Sequence, residues 1–319
     1  MAVVKAFDRR ALRLLCVAAL SLSAAACSGK QGDLYDYISG KPSTPTSTPT
    51  ASTATASTAS GMPPSNAIAP DLAQSDDAKP IAELYNKALE NLNEGAYKTA
   101  AKNFAEVERQ HPYSSWATRA ILMQAYAQYM RNEYDDAISA AQRFITLHPG
   151  HKDTAYAYYL VAMCYYEQIR DIQRDQSTTQ KALDALDEVA RRFPGTPYAQ
   201  DAEQKALLAR DHLAGKELEV GRYYMRKKAY LAAINRFKTV IVQYQTTSQT
   251  PEALYRLTEA YLALGIRSEA QTAAAVLGQN FPNSDWYKDA FNLLQSQGLE
   301  PSASSESWIT QAWNQIKPF

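Results

Sequence analysis

The chain has 319 residues, of which 33 are lysine or arginine and 33 are aspartate or glutamate, so its formal net charge at pH 7 is zero. This balance gives no signal for nucleic-acid binding, and we expect no nucleic-acid partner. The sequence also lacks the H-E-x-x-H, C-x-x-C, G-x-S-x-G, P-loop and G-x-G-x-x-G motifs, so it predicts no catalytic residue, no metal site and no cofactor.

Residues 1–26 have the features of an export signal. The start is basic, with Lys5, Arg9, Arg10 and Arg13, and Leu14–Leu22 is apolar. That stretch is much shorter than the ~20 residues that span a bilayer, and no later segment is long and apolar enough to do so. Ala24–Ala26 are small residues of the kind after which signal peptidases cut. We therefore predict that residues 1–26 are a signal peptide that is removed.

Cys27 directly follows these small residues, where a bacterial lipoprotein is cut after a lipid has been attached to the thiol. The sequence around it resembles the bacterial lipobox, although Ala24 stands where leucine is usual. Ser28 resembles the residue found after the cysteine in lipoproteins sorted to the outer membrane. An exposed unpaired thiol would also be unusual in an oxidising compartment. We predict that Cys27 carries a covalent lipid that anchors the chain to a membrane; cleavage without lipid is the alternative.

Residues 27–79 are interpreted as this lipidated N-terminus followed by a disordered tether. Ser43–Ser60 contain only Ser, Thr, Pro and Ala, a composition that buries too little apolar surface to offset the entropy of ordering. A flexible coil of the length of Ser28–Lys79 spans about 40 Å root-mean-square. The folded part is therefore expected to begin near residue 80.

Residues 80–295 repeat a helical pattern in which an alanine is followed, further along the helix, by a closing proline. The alanines are Ala100, Ala137, Ala182, Ala233 and Ala270, at successive spacings of 37, 45, 51 and 37 residues. The pattern matches the tetratricopeptide repeat, in which the alanine lies where two helices cross and the proline ends the unit. We predict an all-α fold, a superhelical array of five tetratricopeptide-like helix pairs with a concave face.

Two units exceed the spacing of 37, by about 8 and about 14 residues. The first excess lies near Ile169–Gln176, where helical periodicity breaks, and Ser177–Gln180 fits a capping box that restarts a helix. The second lies within Ala202–Lys216, whose composition stays helical, so we expect a lengthened helix there. Thr196 and Thr250, each followed by proline, predict two further N-caps.

Tyrosines recur on the first helices of the first three pairs, and in such arrays the first helix of each pair lines the groove. The candidate groove residues are Tyr85, Arg119, Tyr126, Tyr129, Tyr156, Tyr159 and Tyr166, with Arg119 at the rim. Because tyrosine offers stacking area and a polar tip, we expect the groove to bind an extended peptide with aromatic side chains. For each tyrosine the alternative is packing between helices.

The remaining charged, thiol and imidazole groups form no recognisable catalytic set. Arg222 with Arg226–Lys228 is a basic cluster; such clusters are mostly solvated faces, and contact with lipid headgroups or an acidic partner is the alternative. Cys164 lies in an apolar helical run and is predicted to be a buried thiol. His111 and His148 precede closing prolines and are predicted to be structural turn residues.

Two long stretches carry a resemblance that is more specific than the repeat pattern. They are Tyr165–Gln176, continuing through Ala182–Ala202, and Glu219–Phe237. In both, the chain resembles the BamD family, also called ComL or YfiO, and the resemblance spans about residues 80–295 with both length excesses. Members are lipoprotein subunits of the machinery that assembles β-barrel proteins in the outer membrane. The resemblance implies an adaptor protein that is lipid-anchored in the outer membrane, faces the periplasm and is not an enzyme.

The resemblance also implies partners. The family holds the barrel subunit BamA through its periplasmic domains, works with other assembly lipoproteins, and helps to receive unfolded outer-membrane barrel proteins that bear a C-terminal aromatic signal. Arg236 matches the family's arginine that contacts BamA; its alternative role is that of a solvated helix residue. The family's substrate region lies in the first repeats, although Lys98 and His111 stand where arginine and tyrosine are expected.

The alternative function is that of a lipoprotein adaptor of another class, either a pilotin for secretin or pilus assembly or a peptidoglycan-linked envelope coordinator. Residues 296–319 form a tail with one amphipathic segment. One helical face of it would carry Trp308, Ile309, Ala312, Trp313 and Ile316. We expect this helix to dock on the repeats; docking on membrane is the alternative.

Overall fold

The computed structural model describes residues 79–315, which contain twelve α-helices and no strand. The helices are α1 (Lys79–Asn93), α2 (Tyr97–Gln110), α3 (Ser115–Met130), α4 (Tyr134–Leu147), α5 (Thr154–Tyr166), α6 (Ser177–Arg192), α7 (Pro197–Arg226), α8 (Tyr230–Gln243), α9 (Thr250–Ala263), α10 (Arg267–Asn280), α11 (Asp285–Ser296) and α12 (Trp308–Gln315). The signal sequence, Cys27, the tether and Ile316 lie outside the described residues. Over residues 79–315, no helix combines the length and the apolar character needed to cross a membrane.

The helices α3–α10 form four pairs in contact, and first helices of neighbouring pairs also touch, as α3 touches α5 and α5 touches α7. The helices α1 and α2 form the first pair, in which the rings of Tyr85 and Phe104 lie 5.4 Å apart between centroids. The five alanines predicted at helix crossings are all 0% exposed, one on each second helix: Ala100, Ala137, Ala182, Ala233 and Ala270. A methyl group at each crossing lets the backbones approach and leaves no void. The all-α, tetratricopeptide-like array is confirmed.

Each second helix ends in the same way. The residue after the helix donates its backbone N–H to a carbonyl four residues earlier; these residues are His111, His148, Phe193, Tyr244 and Phe281. In four of the five units a proline follows at once, and proline stops the helix because it lacks an N–H and clashes with the preceding turn. His111 and His148 therefore have the structural role predicted for them.

The longest helix, α7, has 30 residues, so the second length excess is a lengthened helix, as predicted. Near its end it crosses α8 at a glycine. A Cβ built on Gly221 would lie 2.3 Å from a ring carbon of Phe237, which is far inside contact distance. Only glycine allows the ring to approach the α7 backbone this closely.

The predicted N-cap at Thr196 is right, and the predicted capping box at Ser177 is wrong. Thr196 Oγ1 accepts the N–H of Ala199 at 3.2 Å. At the start of α6 the cap residue is Gln176, which makes no side-chain cap hydrogen bond. Instead, the Asp175 carboxylate accepts the N–H of Ser177 at 3.2 Å. The non-helical link before α6 therefore supplies the oxygen that the capping box was expected to supply.

The predicted N-cap at Thr250 is also wrong, by one residue. Gln249 occupies the cap position, and Thr250 is the first residue of α9. Thr250 is fully buried, and its hydroxyl donates to the carbonyl of Gln245 at 2.9 Å in the preceding link. Because its hydroxyl is hydrogen-bonded to that carbonyl, Thr250 joins α9 to the preceding link between α8 and α9 and does not cap the helix.

The tail docks on the repeats, as expected. Gln271 Nε2 of α10 donates to the carbonyl of Glu300 at 2.8 Å, and Ser307 Oγ donates to the Glu269 carboxylate at 2.7 Å. Ile309 of α12 is 0% exposed. Trp308 Nε1 donates to the hydroxyl of Tyr261 in α9 at 2.8 Å. The tail therefore covers the last pair of the array.

Candidate partner-binding surfaces

Arg236 lies on the exposed face of α8, within reach of a partner. Its Nη1 is 3.1 Å from a carboxylate oxygen of Glu217 in α7, and its side chain is 44% exposed. It borders a shallow pocket of about 260 Å³ that is lined by Tyr224, Ala232, Asn235, Arg236 and Thr239. Water screens an ion pair this exposed, so the pair adds little to stability. The guanidinium is therefore available to a carboxylate of another molecule.

The basic cluster predicted from the sequence contains one residue with a structural role, Arg222, and an exposed part, Arg226–Lys228. Its Nε donates to the Glu252 carboxylate at 2.8 Å, and the hydrogen bonds to Glu252 raise the pKa of Arg222. Glu252 of α9 is buried and also accepts from Arg256 Nε at 3.2 Å. One buried carboxylate thus satisfies two guanidinium groups and joins α7 to α9.

The exposed part is the turn that joins α7 to α8. All of Arg226–Lys228 is exposed, and the contact between Arg226 and Glu219 is long, at 3.5 Å. Among residues 79–315, no carboxylate pairs with either lysine of this turn. Tyr223 and Leu231 flank the turn and are 49% and 68% exposed. The turn therefore presents three cations next to apolar surface.

Five of the six candidate tyrosines are buried between helices. Tyr85, Tyr126, Tyr129, Tyr156 and Tyr159 are each at most 8% exposed. The rings of Tyr156 and Tyr159 lie 5.6 Å and 5.4 Å from the ring of Tyr198, between centroids. First helices pack against one another, so this side of α3 and α5 faces protein. Packing between helices describes these five residues, and the expected open wall of tyrosines is not present.

Acidic groups that sequence reasoning missed accept hydrogen bonds from two of these tyrosines. Tyr159 donates to Asp201 at 2.5 Å and Tyr129 donates to Glu167 at 3.3 Å. Burial, together with the hydrogen bond to Asp201, raises the pKa of Tyr159 well above its usual value, so the hydroxyl stays a donor. The partners are 42 and 38 positions apart, and no local pattern signals such pairs.

Tyr166 and Arg119 are the candidate groove residues that keep partial exposure. Lys205 Nζ lies 5.8 Å from the centre of the Tyr166 ring, and it pairs with the Asp201 carboxylate at 2.8 Å. The Tyr166 ring thus lies near a lysine and an aspartate, and such a site suits a polar peptide that carries an aromatic group. Contact of any of the seven candidates with a peptide stays a prediction.

Nucleophilic and metal-binding groups do not gather into a site in the described part of the chain. No three His, Cys, Asp or Glu side chains there are arranged to hold a metal ion. Cys164 is 0% exposed, and burial raises the pKa of its thiol to about 12. The thiol is therefore protonated at neutral pH and unreactive, which agrees with the buried thiol predicted from the sequence.

Relatives of the chain share most of its folded part. A protein of Caulobacter vibrioides named outer membrane protein assembly factor BamD is 51% identical over 226 residues, 71% of this chain and 74% of that protein. Proteins of the same name from Rickettsia prowazekii and Neisseria meningitidis serogroup A are 46% and 35% identical, over 70% and 66% of this chain and 88% and 83% of theirs. Among solved structures, a tetratricopeptide protein of Thermus thermophilus aligns at 18% identity, 66% of this chain and 98% of that chain, with a TM-score of 0.32, too low to support an inference.

The model of the family YfiO, described as outer membrane lipoprotein, matches residues 77–277. The match contains the first nine helices, most of α10, both length excesses and Arg236. It ends before α11 and α12. With a match over more than half of its length and with these relatives, the chain belongs to the YfiO family of outer membrane lipoproteins.

Proposed function

We propose that this chain is the lipoprotein subunit of the machinery that assembles β-barrel proteins in the outer membrane, where it acts as an adaptor and not as an enzyme. The name of its relatives, outer membrane protein assembly factor, supports this function over a pilotin or a peptidoglycan-linked coordinator. Its partners would be the periplasmic domains of BamA, other lipoproteins of the machinery and unfolded barrel proteins.

The observation that carries this proposal on the chain itself is the position of Arg236. The residue lies on an exposed helix face, holds a single weak ion pair with Glu217, and borders a pocket with Tyr224. An arginine in this setting presents a guanidinium fork that can bind a carboxylate of BamA. The neighbouring pocket can accept a side chain beside that carboxylate.

Arg143 provides a matched control for a test of Arg236. Both arginines lie on second helices, pair with one glutamate and have side chains that are 44% exposed, with the glutamates 22% exposed. We expect Arg236→Ala to weaken the binding of the full mature chain to purified BamA periplasmic domains by about tenfold. Arg143→Ala should leave binding within about twofold of the wild type. Equal effects of the two variants, or none, would refute the role of Arg236.

We further propose that the lipid on Cys27 holds the chain on the periplasmic face of the outer membrane. The mass of the N-terminal peptide of the protein from solubilised envelopes tests this anchor directly, and three acyl chains on Cys27 are expected. Cys27→Ala combined with Arg236→Ala, which also weakens the contact with BamA, should release the protein from the membrane fraction, whereas Arg236→Ala alone should not. An unmodified N-terminal cysteine would contradict the anchor and leave the adaptor function untouched.

For the unfolded substrate, we propose a surface on the first helices of the first three pairs. The partly exposed Arg119 and Tyr166 are the residues that would contact an aromatic peptide, while the buried tyrosines would shape that surface. A photo-reactive peptide with a C-terminal phenylalanine should crosslink to the wild-type chain. Crosslinking should fall in the variant with Arg119→Ala and Tyr166→Ala. Crosslinks confined to the fourth and fifth pairs would refute this location.

A further inference from the structure

Four of the five helix pairs are joined by the same turn, and one residue in each turn has a positive φ. These residues are Gly95 (φ 75°), Asn132 (φ 61°), Lys228 (φ 57°) and Gly265 (φ 75°). In each turn this residue donates its N–H to the carbonyl three residues earlier, and the next residue donates to the carbonyl five residues before it. The turns are therefore equivalent, and each ends a helix in a Schellman motif.

Lys228 is the exception among these four residues. Glycine adopts a positive φ at no steric cost, and asparagine tolerates it because its short side chain bonds locally. Here Asn132 Oδ1 accepts a hydrogen bond from the hydroxyl of Tyr134 at 2.9 Å. Lysine has neither advantage, since its Cβ crowds the following carbonyl in this conformation. The fourth pair therefore keeps a strained residue where its neighbours have unstrained ones.

The side chain of Lys228 does nothing for the fold that would explain this strain. It is exposed, and no ion pair or hydrogen bond joins it to another side chain of the described residues. Its neighbour Lys227 has one weak contact, with Nζ 5.9 Å from the centre of the Tyr223 ring. A strained residue whose side chain makes no stabilising contact in the fold points to a role in binding another molecule.

The surroundings of Lys228 identify the chemistry that it suits. Arg226 and Lys227 place two more cations in the same turn, and the exposed Tyr223 and Leu231 supply apolar area beside them. Arg236 lies on α8, the helix that follows this turn, six residues after its first residue Tyr230 and so about 9 Å further along the axis at 1.5 Å per residue. Arg236 and Tyr224, which precedes the turn, both line the pocket described above. Cations mixed with exposed apolar side chains, beside a pocket on the next helix, fit a folded acidic protein domain better than a flat layer of headgroups.

We propose that Lys228 is a specificity-determining residue of the partner surface, where it pairs with an acidic group of the same protein domain that contacts Arg236. This inference rests on the proposed function, because it takes that domain to belong to BamA. The positive charge at a strained position extends the surface around Arg236 to the turn that precedes α8. The added charge contributes electrostatic selectivity more than buried area.

The test exchanges residues between equivalent turns. In the full mature chain, Lys228→Asn should raise the melting temperature by about 2 °C because the strain is removed. The same variant should weaken binding to BamA periplasmic domains by about three- to tenfold and flatten its salt dependence. Asn132→Lys, the control, should lower the melting temperature and leave binding unchanged. Lys228→Arg should keep the wild-type affinity.

The outcomes separate this inference from the proposed function. No binding of BamA domains by the wild type would overturn both. Binding that Arg236→Ala weakens but Lys228→Asn leaves unchanged would overturn this inference alone. A third measurement uses vesicles of phosphatidylglycerol and phosphatidylethanolamine. If Lys228→Asn abolished vesicle binding and left BamA binding intact, Lys228 would contact a membrane. The proposal that it contacts a protein domain would then be refuted.

Discussion

The Nζ of Lys216 donates a hydrogen bond to the carbonyl oxygen of Gln173 at 3.0 Å, and this bond joins the two segments that make the third and fourth units long. Gln173 lies in the non-helical link between α5 and α6, and Lys216 lies in the lengthened part of α7. One residue earlier, a Cβ on Gly215 would meet the Ile172 side chain at 3.7 Å, an ordinary contact distance. The extra turns of one helix therefore support the extra residues of the loop.

Removal of this bond should loosen the loop and leave the array folded. We expect Lys216→Ala to speed hydrogen exchange of the amides of Gln173–Ser177 and to lower the free energy of unfolding by about 1 kcal/mol. Lys205→Ala, which removes an ion pair within α7 itself, is the control and should leave the exchange of the loop unchanged. Equal exchange in wild type and Lys216→Ala would show that the loop is held by other contacts.

Two glycines of α7 should respond to alanine in opposite directions. At Gly221 the new Cβ would clash with the Phe237 ring at 2.3 Å, so Gly221→Ala should lower the free energy of unfolding by about 1–3 kcal/mol. At Gly215 the space is sufficient, and Gly215→Ala should raise it by about 0.5–1 kcal/mol through helix propensity. Urea denaturation measures both, and a stabilising Gly221→Ala would contradict the close crossing.

Stability should fall in mild acid because of His151. Burial lowers the pKa of this imidazole, despite the neighbouring Asp153, so the unfolded chain takes up a proton more readily than the folded one. The free energy of unfolding therefore decreases as the pH falls through and below the ordinary histidine pKa of about 6.5. His151→Gln should flatten this dependence in denaturation curves recorded from about pH 7.5 to about pH 5. A variant with the wild-type slope would assign the effect to another group.

Thiol titration should report on Cys164 and Cys27 together. Cys164 is buried with a raised pKa, so a disulfide reagent should not react with it in the native protein and should react after unfolding in denaturant. If Cys27 carries lipid, the mature chain should show no rapidly reacting thiol and one thiol in denaturant. A rapid reaction of the native protein, absent from Cys27→Ala, would mean that Cys27 is free.

The sequence contained enough to predict the array but not the burial of its tyrosines. Four of the five crossing alanines could be identified because a closing proline follows each at a fixed offset, and Ala233, which lacks that proline, could be identified from the similarity of its helix to the others. Tyr156 and Tyr159 could not be assigned, since α5 has ten buried residues out of thirteen. A helix that is apolar on all sides has no periodicity to separate the side that faces a groove from the side that faces a neighbour.

Contacts between residues that are far apart in the sequence could not be predicted either. The lengths of both insertions follow from residue spacing, but the contact between Lys216 and Gln173 spans 43 positions and depends on how the pairs stack. The cap at Ser177 was assigned wrongly because the Asp175 carboxylate, two residues earlier, accepts the Ser177 N–H that the capping box was expected to use. Arg236 could be found in the sequence by the family resemblance, and its exposure came from the structure.

The docked tail makes the last residues of the chain a condition for completing the fifth pair. Ile309 and Trp308 cover surface on helices that come earlier in the chain. Under the export that residues 1–26 predict, the chain would cross the membrane with its N-terminus first. The fifth pair would therefore emerge with one side uncovered and acquire its cover only after residues 308–315 have followed it. A nonsense mutation or a protease cut near residue 300 would consequently leave the fifth pair uncovered and less stable, although it removes nothing that the family match includes.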